Sequence, residues 1–369
     1  MLGYSDLQGN FYVYDQDRTV HLEHHQIESA QFKTNSVAYL NSTGDLQFYS
    51  NHKLLDLEVT NPRFYMNTDH YLYYSIGPNY SLYNGKKKQH LGILSVGSDG
   101  QKNVFAFGDS IAAMHDFSNY FYAYWQDAFV ELEALPVTQI AAGDNIIAYV
   151  DATGQTKIFY RKEKIVIDNT KAIAMQCGAN TATIIDNYKY LKIFWNGDIF
   201  ELYNIPAVWC SNYIGVFEVD ADNYCTGEII VSPDQVKPLF KTGDDVVAYM
   251  DDQEVFYIFY KGISNAYNSS VPKQFDVVDN IVWWIDDNNF FHVFYDGEDY
   301  TIESYTPKKI KADKNIIAYT DNYGKLKAFY KGETQQISSS IILDFELNND
   351  LIMYSVIQNK YEFYKLKFS

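Results

Sequence analysis

The chain is short of cysteine, of proline and of positive charge. It holds three cysteines and eight prolines in 369 residues. Cys177, Cys210 and Cys225 are too few and too widely spaced for a disulfide framework or a zinc motif. Either Cys210 bridges Cys225 in an oxidising compartment or all three are buried thiols. No apolar run approaches the length that spans a bilayer. Met1-Leu2-Gly3 leads directly into an apolar segment without a leader, so the expectation is a cytoplasmic chain or a mature exported one. Lys and Arg number 29 against 47 Asp and Glu, a net charge of −18. That surplus repels nucleic acid and anionic lipid, favours solubility and suits a basic partner. A nucleophile elbow, a phosphate loop and a His-Glu-x-x-His pair are also missing. The expectation is therefore no enzyme, no cofactor, no nucleic acid and no membrane insertion.

What the chain has is aromatic residues in step. They make up 17% of it, with 34 tyrosines. Asp144 to Ile167 returns as Asp244 to Ser264 and as Asp313 to Ile337. In the first of these, Ile146, Ala148 and Val150 alternate with Ile147 and Tyr149, so the strand is apolar on both faces and must be covered on both. Asp151-Ala-Thr-Gly154 then supplies a turn-capping carboxylate and a glycine for positive φ, which reverses the chain. A strand ending in Phe159-Tyr160 follows, then a tighter reversal, spelled Asn84-Gly85, Asn196-Gly197 and Asp296-Gly297 in other copies. Strands at Lys164 to Ile167 and Ala172 to Cys177 complete a four-stranded antiparallel meander.

Aligned on Tyr149, the copies are anchored at Tyr4, Tyr39, Tyr74, Met114, Ile184, Glu218, Tyr249, Trp284, Tyr319 and Tyr354, mostly 35 apart. Asp or Asn recurs two residues later, as in Asp6, Asn41, Asp116, Asp186, Asp286 and Asp321, and the aromatic pair recurs as Phe48-Tyr49, Phe294-Tyr295, Phe329-Tyr330 and Phe363-Tyr364. Pro136, Pro272 and Pro307 mark connections, because proline cannot donate to a ladder. Five extra residues before Met114 point to a loop insertion near Gly97-Ser-Asp-Gly100. Fixed-period similarity of this size means a propeller, solenoid or array, in which each unit buries its faces against its neighbours. Small residues at Ala38, Ala112, Ala148, Ala182, Ala248 and Ala318 suit a crowded inner strand.

The pattern resembles short-blade β-propellers of the WD and WG-repeat kind, without a Trp-Asp or strict Trp-Gly signature. The expected fold is all-β: a propeller-type array of about ten to eleven short four-stranded antiparallel repeats over 1–369. The alternatives are an open β-solenoid, or two sub-rings with a seam near 205–235 in the degenerate seventh copy.

Candidate sites are few. His21, Glu23 and His25 share a strand face, which suggests a zinc or copper site or simply a polar outer strand. Asp220-Ala-Asp222-Asn223 invites calcium, but the aligned turn accounts for Asp220 and the EF-hand spacing is missing. No metal is expected at either. Trp209, Glu218 and Asp222 are candidate binding residues, because that copy departs most from the repeat. Lys86 and Lys87 belong to the one basic run, at a hairpin tip, and are candidates too. The tryptophans Trp125, Trp195, Trp209, Trp283 and Trp284 do not recur at one repeat position, which weakens a lectin with one pocket per copy. A Tyr-rich, acidic array reads best as a protein-interaction scaffold. The finer expectation is a bacterial periplasmic or cell-envelope accessory, a plug-like subunit of an outer-membrane secretion channel such as the type-nine translocon. A lectin-like propeller is the alternative, and a propeller hydrolase or lyase stands third.

Overall fold

The computed structural model describes residues 1–93, 105–116, 118–188, 191–195, 197–202, 209–210, 215–216, 240–243, 246–250, 254–260, 263–268, 271–358 and 360–366. Every regular element among them is a strand, and every ladder is antiparallel between chain neighbours. Eight sheets have four strands. Among the described residues the first and last sheets have three strands each. The seventh copy is described only by Trp209–Cys210 and Gly215–Val216.

The fifth sheet shows the pattern. Its leading strand is Gln139–Ala142, its second Ile146–Val150, its third Thr156–Tyr160 and its trailing strand Glu163–Asp168. The fourth strand of the unit therefore precedes the Tyr149 strand. Ala174–Cys177, expected to complete this unit, instead pairs with Thr181–Ile185 of the next sheet. The tight reversal at Gly178, whose N–H bonds Thr181 O at 2.9 Å, makes those two strands a hairpin. The recurrent alanines thus sit on the second strand, not at the sheet's edge, and all six are fully buried. The space they leave suits a strand packed on both sides.

The double burial is as expected. In the tenth sheet, Ile317 and Tyr319 pack in a cluster with Trp283, Phe291 and Val293 of the sheet before. Ile316 and Ala318, on the other face, pack with Phe345, Ile352 and Tyr354 of the sheet after. One alternating strand thus feeds two cores. The Phe-Tyr pair is not uniform. Phe159 and Phe329 lie ten residues after their anchors, but Phe48 and Phe363 lie nine after theirs, so Tyr49 and Tyr364 take the phenylalanine's place in those sheets. A one-residue slip exchanges the two faces. Where leading turns meet, backbone packs on backbone: a Cβ on Gly108 would lie 1.8 Å from Gly143 O, and one on Gly243 1.8 Å from Asp279 O.

The contacts divide the chain into two compact units, Met1–Asn169 and Thr170–Ser369.

Candidate functional site

The recurrent acids are turn-formers. Asp151 Oδ1 accepts the Thr153 and Gln155 amides at 2.8 and 2.9 Å, and Gly154 takes φ 89°. Asp6, Asn41, Asp116 and Asp321 hold their turns in the same way. The short reversals are equally regular. Gln16-Asp17, Gln126-Asp127, Arg161-Lys162 and Asp296-Gly297 have positive φ at both positions, the backbone of a type I′ turn. The Asn84-Gly85 turn is different. The last ladder pair is Tyr83 with Lys88, which leaves a four-residue loop, and the Lys86 and Lys87 amides bond Asn84 Oδ1 at 3.1 and 2.9 Å.

One group of ionic residues escapes the turn explanation. In the first unit, Tyr149 Oη donates to Glu133 Oε1 at 2.9 Å, and Lys157 Nζ reaches both Glu133 Oε1 at 2.8 Å and Asp151 Oδ2 at 2.7 Å. Glu133 ends the trailing strand of the preceding sheet, so the set clasps two sheets together. The second unit repeats it. Tyr319 Oη reaches Glu303 at 2.9 Å, Lys327 reaches Glu303 at 2.6 Å, and Lys327 stands 3.8 Å from Asp321. In both, Lys lies directly opposite Tyr on the neighbouring strand. In the second sheet the corresponding residues are Tyr39, Glu23, Gln47 and Asn41, an uncharged Gln and Asn replacing Lys and Asp. Burial works to raise the Asp151 pKa, but the Lys157 ammonium, the Thr153 hydroxyl and the Gln155 amide outweigh it and hold the carboxyl at about 2. Burial and then Glu133 push the Tyr149 phenol far above its ordinary range. The arrangement fastens one sheet to the next.

An opening lies in the first unit, between the second and third sheets. It measures about 430 Å³. Thr34, Asn35 and Ser36 come from one leading turn and Thr68, Asp69 and His70 from the next, with Phe48, Tyr71 and Tyr83 as aromatic walls. Thr34 N bonds Asp69 Oδ1 at 3.1 Å, and Asp69 N bonds Asp109 Oδ1 at 2.8 Å. His70 is tied to Asp109 through Nδ1.

The sheets' two ends differ in character. Of eighteen large apolar side chains that are exposed among the described residues, twelve sit at the end carrying the Asp turns and the connections between sheets. They include Leu7, Ile76, Tyr120 and Leu135 in the first unit and Ile173, Tyr188, Phe290, Tyr323, Leu343 and Ile357 in the second. The turns at the other end are charged or amide-bearing, as in Asn51-His52, Arg161-Lys162 and Lys331-Gly332.

Of the predicted site residues, Lys86 and Lys87 are exposed on the Asn84 loop, whose base lines the cavity. Trp209 is on a two-residue strand of the second unit. Glu218 and Asp222, the Asp220–Asn223 calcium reading, Cys225 and the Gly97–Gly100 insertion lie outside the described residues. His21 packs against Tyr12 and His24, with ring centroids 4.8 and 4.3 Å apart, and not alongside His25. Among the described residues no three His, Cys, Asp or Glu side chains are gathered for a metal. The clasp joins residues of two successive copies, so no single copy displays it. The Glu sixteen before Tyr149 and Tyr319, and the Lys eight after, were there to be found.

Thin antiparallel meanders, packed flank to flank within each unit, define a β-propeller-type repeat protein. The chain belongs to the family described as the 10-bladed beta propeller domain, whose model matches residues 1–94, 87–218 and 212–366. No curated protein matches the chain. Among solved structures, a eukaryotic initiation factor is 9% identical, with 91% of this chain and 95% of that one covered and a TM-score of 0.45. The computationally designed Ika8 protein is 12% identical over 92% and 96%, with a TM-score of 0.33. PorZ of Porphyromonas gingivalis, a type-IX secretion system surface component, is 9% identical over 97% and 57%, with a TM-score of 0.29.

Proposed function

We propose that this propeller is a non-catalytic scaffold that binds a protein partner through the sheet ends carrying the Asp turns and the connections. The observation that carries this is the gathering of exposed apolar side chains at that end, eight of eleven among the described residues of the second unit against four of seven in the first. Tyr323, Leu343 and Ile357 are each more than 60% exposed. Backbone bonds link their segments: Ile342 N to Gly324 O at 2.9 Å and Leu343 N to Ser355 O at 2.7 Å. Exposed apolar side chains on linked segments of a sheet end favour a contact site, and tyrosine is favoured in such contacts. The acids do not compete with this reading, since they fasten turns and sheets.

The finer form of the proposal is an accessory subunit in the bacterial periplasm or cell envelope, docked on an outer-membrane secretion channel. Its support is the acidic, tyrosine-rich composition. The test is affinity capture from native envelope and from cytosol with the wild type, with Tyr323→Asp/Leu343→Asp, and with Arg161→Glu at the opposite end. The expected result is a stoichiometric protein recovered from envelope, lost with the double variant and kept with Arg161→Glu. No stoichiometric partner, or equal recovery by all three, overturns the scaffold reading. A partner found only in cytosol overturns the location alone.

A further inference from the structure

The cavity between the second and third sheets has no role in the scaffold reading, because it opens at the polar end. We propose that it is a binding site for an uncharged polyhydroxylated ligand, one or two sugar units of a neutral glycan.

The opening has a local cause. On either side of it the short reversals of adjacent sheets are joined. His52 reaches Asp15 and Gln16 of the first sheet at 2.7 and 2.9 Å, and Asn84 reaches Asp127 of the fourth at 2.8 Å. Between the second and third sheets those same residues are turned away from each other. Asn51 bonds Ser50 of its own turn at 3.3 Å. Among the described residues no hydrogen bond joins 51–52 to 84–87. The third sheet's four-residue loop in place of a two-residue turn widens the same gap.

The lining suits a sugar. Phe48, Tyr71 and Tyr83 give apolar walls for the C–H face of a pyranose. Around them stand the Asn35 and Asn51 amides and the Ser50 hydroxyl, groups that both donate and accept, as sugar hydroxyls do. A lining that mixes aromatic and polar side chains, at about 430 Å³, falls within the size of a small-molecule site. The charge argues against an anion. Asp69 is the one carboxylate in the lining, and the one cationic candidate, His70, is already paired with Asp109. No lysine or arginine lines the walls; Lys86 and Lys87 follow Gly85 on the loop and are exposed.

The experiment is saturation-transfer NMR on the full chain with methyl glucoside, methyl galactoside, N-acetylglucosamine and lactose as probes. Inorganic phosphate and N-acetylglycinamide serve as the charged and peptide-like controls. Asn35→Trp and Ser50→Trp fill the opening from two sides, and Arg161→Glu changes a distant turn. Thermal melting confirms that each variant folds. The expected result is transfer to at least one neutral sugar, weakened ~10-fold or more in both filled variants and unchanged in Arg161→Glu. No transfer to any of the four sugars, transfer that survives filling, or preference for phosphate or the amide overturns the proposal. None of these outcomes touches the scaffold reading, which depends on the other end of the sheets.

Discussion

The two units build the same sheets but stitch them differently along their leading strands. In Met1–Asn169 the links between the second and third sheets are neutral. Gln31 Nε2 donates to Tyr65 O at 3.1 Å, Gln31 Oε1 accepts Asn67 N at 2.8 Å, and Ser29 meets Tyr65 Oη at 2.7 Å. In Thr170–Ser369 they are ionic. Lys241 pairs with Asp276 at 2.8 Å, Lys309 with Asp344 and Lys311 with Glu346. Lys241 and Lys309 also lie over Phe275 and Phe345, 5.6 and 5.1 Å from the ring centroids. The period is common to both, because it is set by the alternating apolar strand and the Asp turn. The link between neighbours is free to vary, since any pair that satisfies the facing groups serves. The two kinds of link should respond differently to salt.

The largest expected effect falls on the shared core and should not distinguish the units by kind. Trp284 is 1% exposed and packs on Phe256, Tyr267 and a parallel His292 ring 4.9 Å away. Trp284→Ala should cost ~3–5 kcal/mol in denaturant unfolding. A loss below about 1 kcal/mol would mean that the sheets do not share cores as described.

Next come the clasps, where the units can be ranked. Lys157→Met leaves Glu133 and Asp151 facing each other without a cation and should cost ~2–3 kcal/mol. Lys327→Met should cost less, because Lys327 is 3.8 Å from Asp321 where Lys157 is 2.7 Å from Asp151. Asp151 adds an acid limb. Its carboxyl is held at about 2, below the ordinary 3.8. The stability it gives, ~2 kcal/mol, is whole above the ordinary value and drains away as pH falls through about 2. Asp151→Asn should therefore flatten acid unfolding of the first unit, which midpoints measured across the acid range will show.

Two histidines sharpen the contrast near neutrality. His115, in the first unit, accepts the Val137 amide through Nε2 at 3.1 Å. Burial lowers its pKa from 6.5, against the opposing pull of Asp116. The neutral ring is the one that fits, so its contribution is lost as pH drops below 6.5. His292, in the second unit, is also opposed by burial, but Asp299 and Asp286 outweigh it and raise the pKa. Its contribution is full below 6.5 and is lost as pH rises through the raised value. His115→Gln should cost more at about pH 8 than at about pH 5.5, and His292→Gln the reverse. Thermal midpoints at the two pH values decide it, and equal losses would contradict both assignments.

Much of this was legible in the sequence and some was not. The Asp turns, the doubly buried strand and the number of copies follow from local chemistry, which a repeat states many times over. The phase of the sheet was harder. Ala174–Cys177 sits between two reversals, and only the tighter one, at Gly178, decides its partner. The slip of Phe48-Tyr49 was hidden because an aromatic stands at both positions. The clasp joins Glu133 to Tyr149 and Lys157 across a sheet boundary, and the cavity depends on side chains of adjacent turns that face away from each other. Both are properties of neighbours, which no single repeat records.

The smallest expected effect is the one that bears most directly on the comparison. Exposed lysine–carboxylate pairs give less than ~1 kcal/mol each and weaken with salt. Hydrogen exchange of the wild type, followed residue by residue at low and at high salt, reads the two kinds of link side by side. The account predicts that amides of Gln274–Val278, Lys309–Asp313 and Asp344–Asn348 exchange a few-fold faster at high salt, while those of Ser29–Phe32 and Tyr65–Asn67 hold their rates. Equal acceleration in both sets, or in neither, would contradict it.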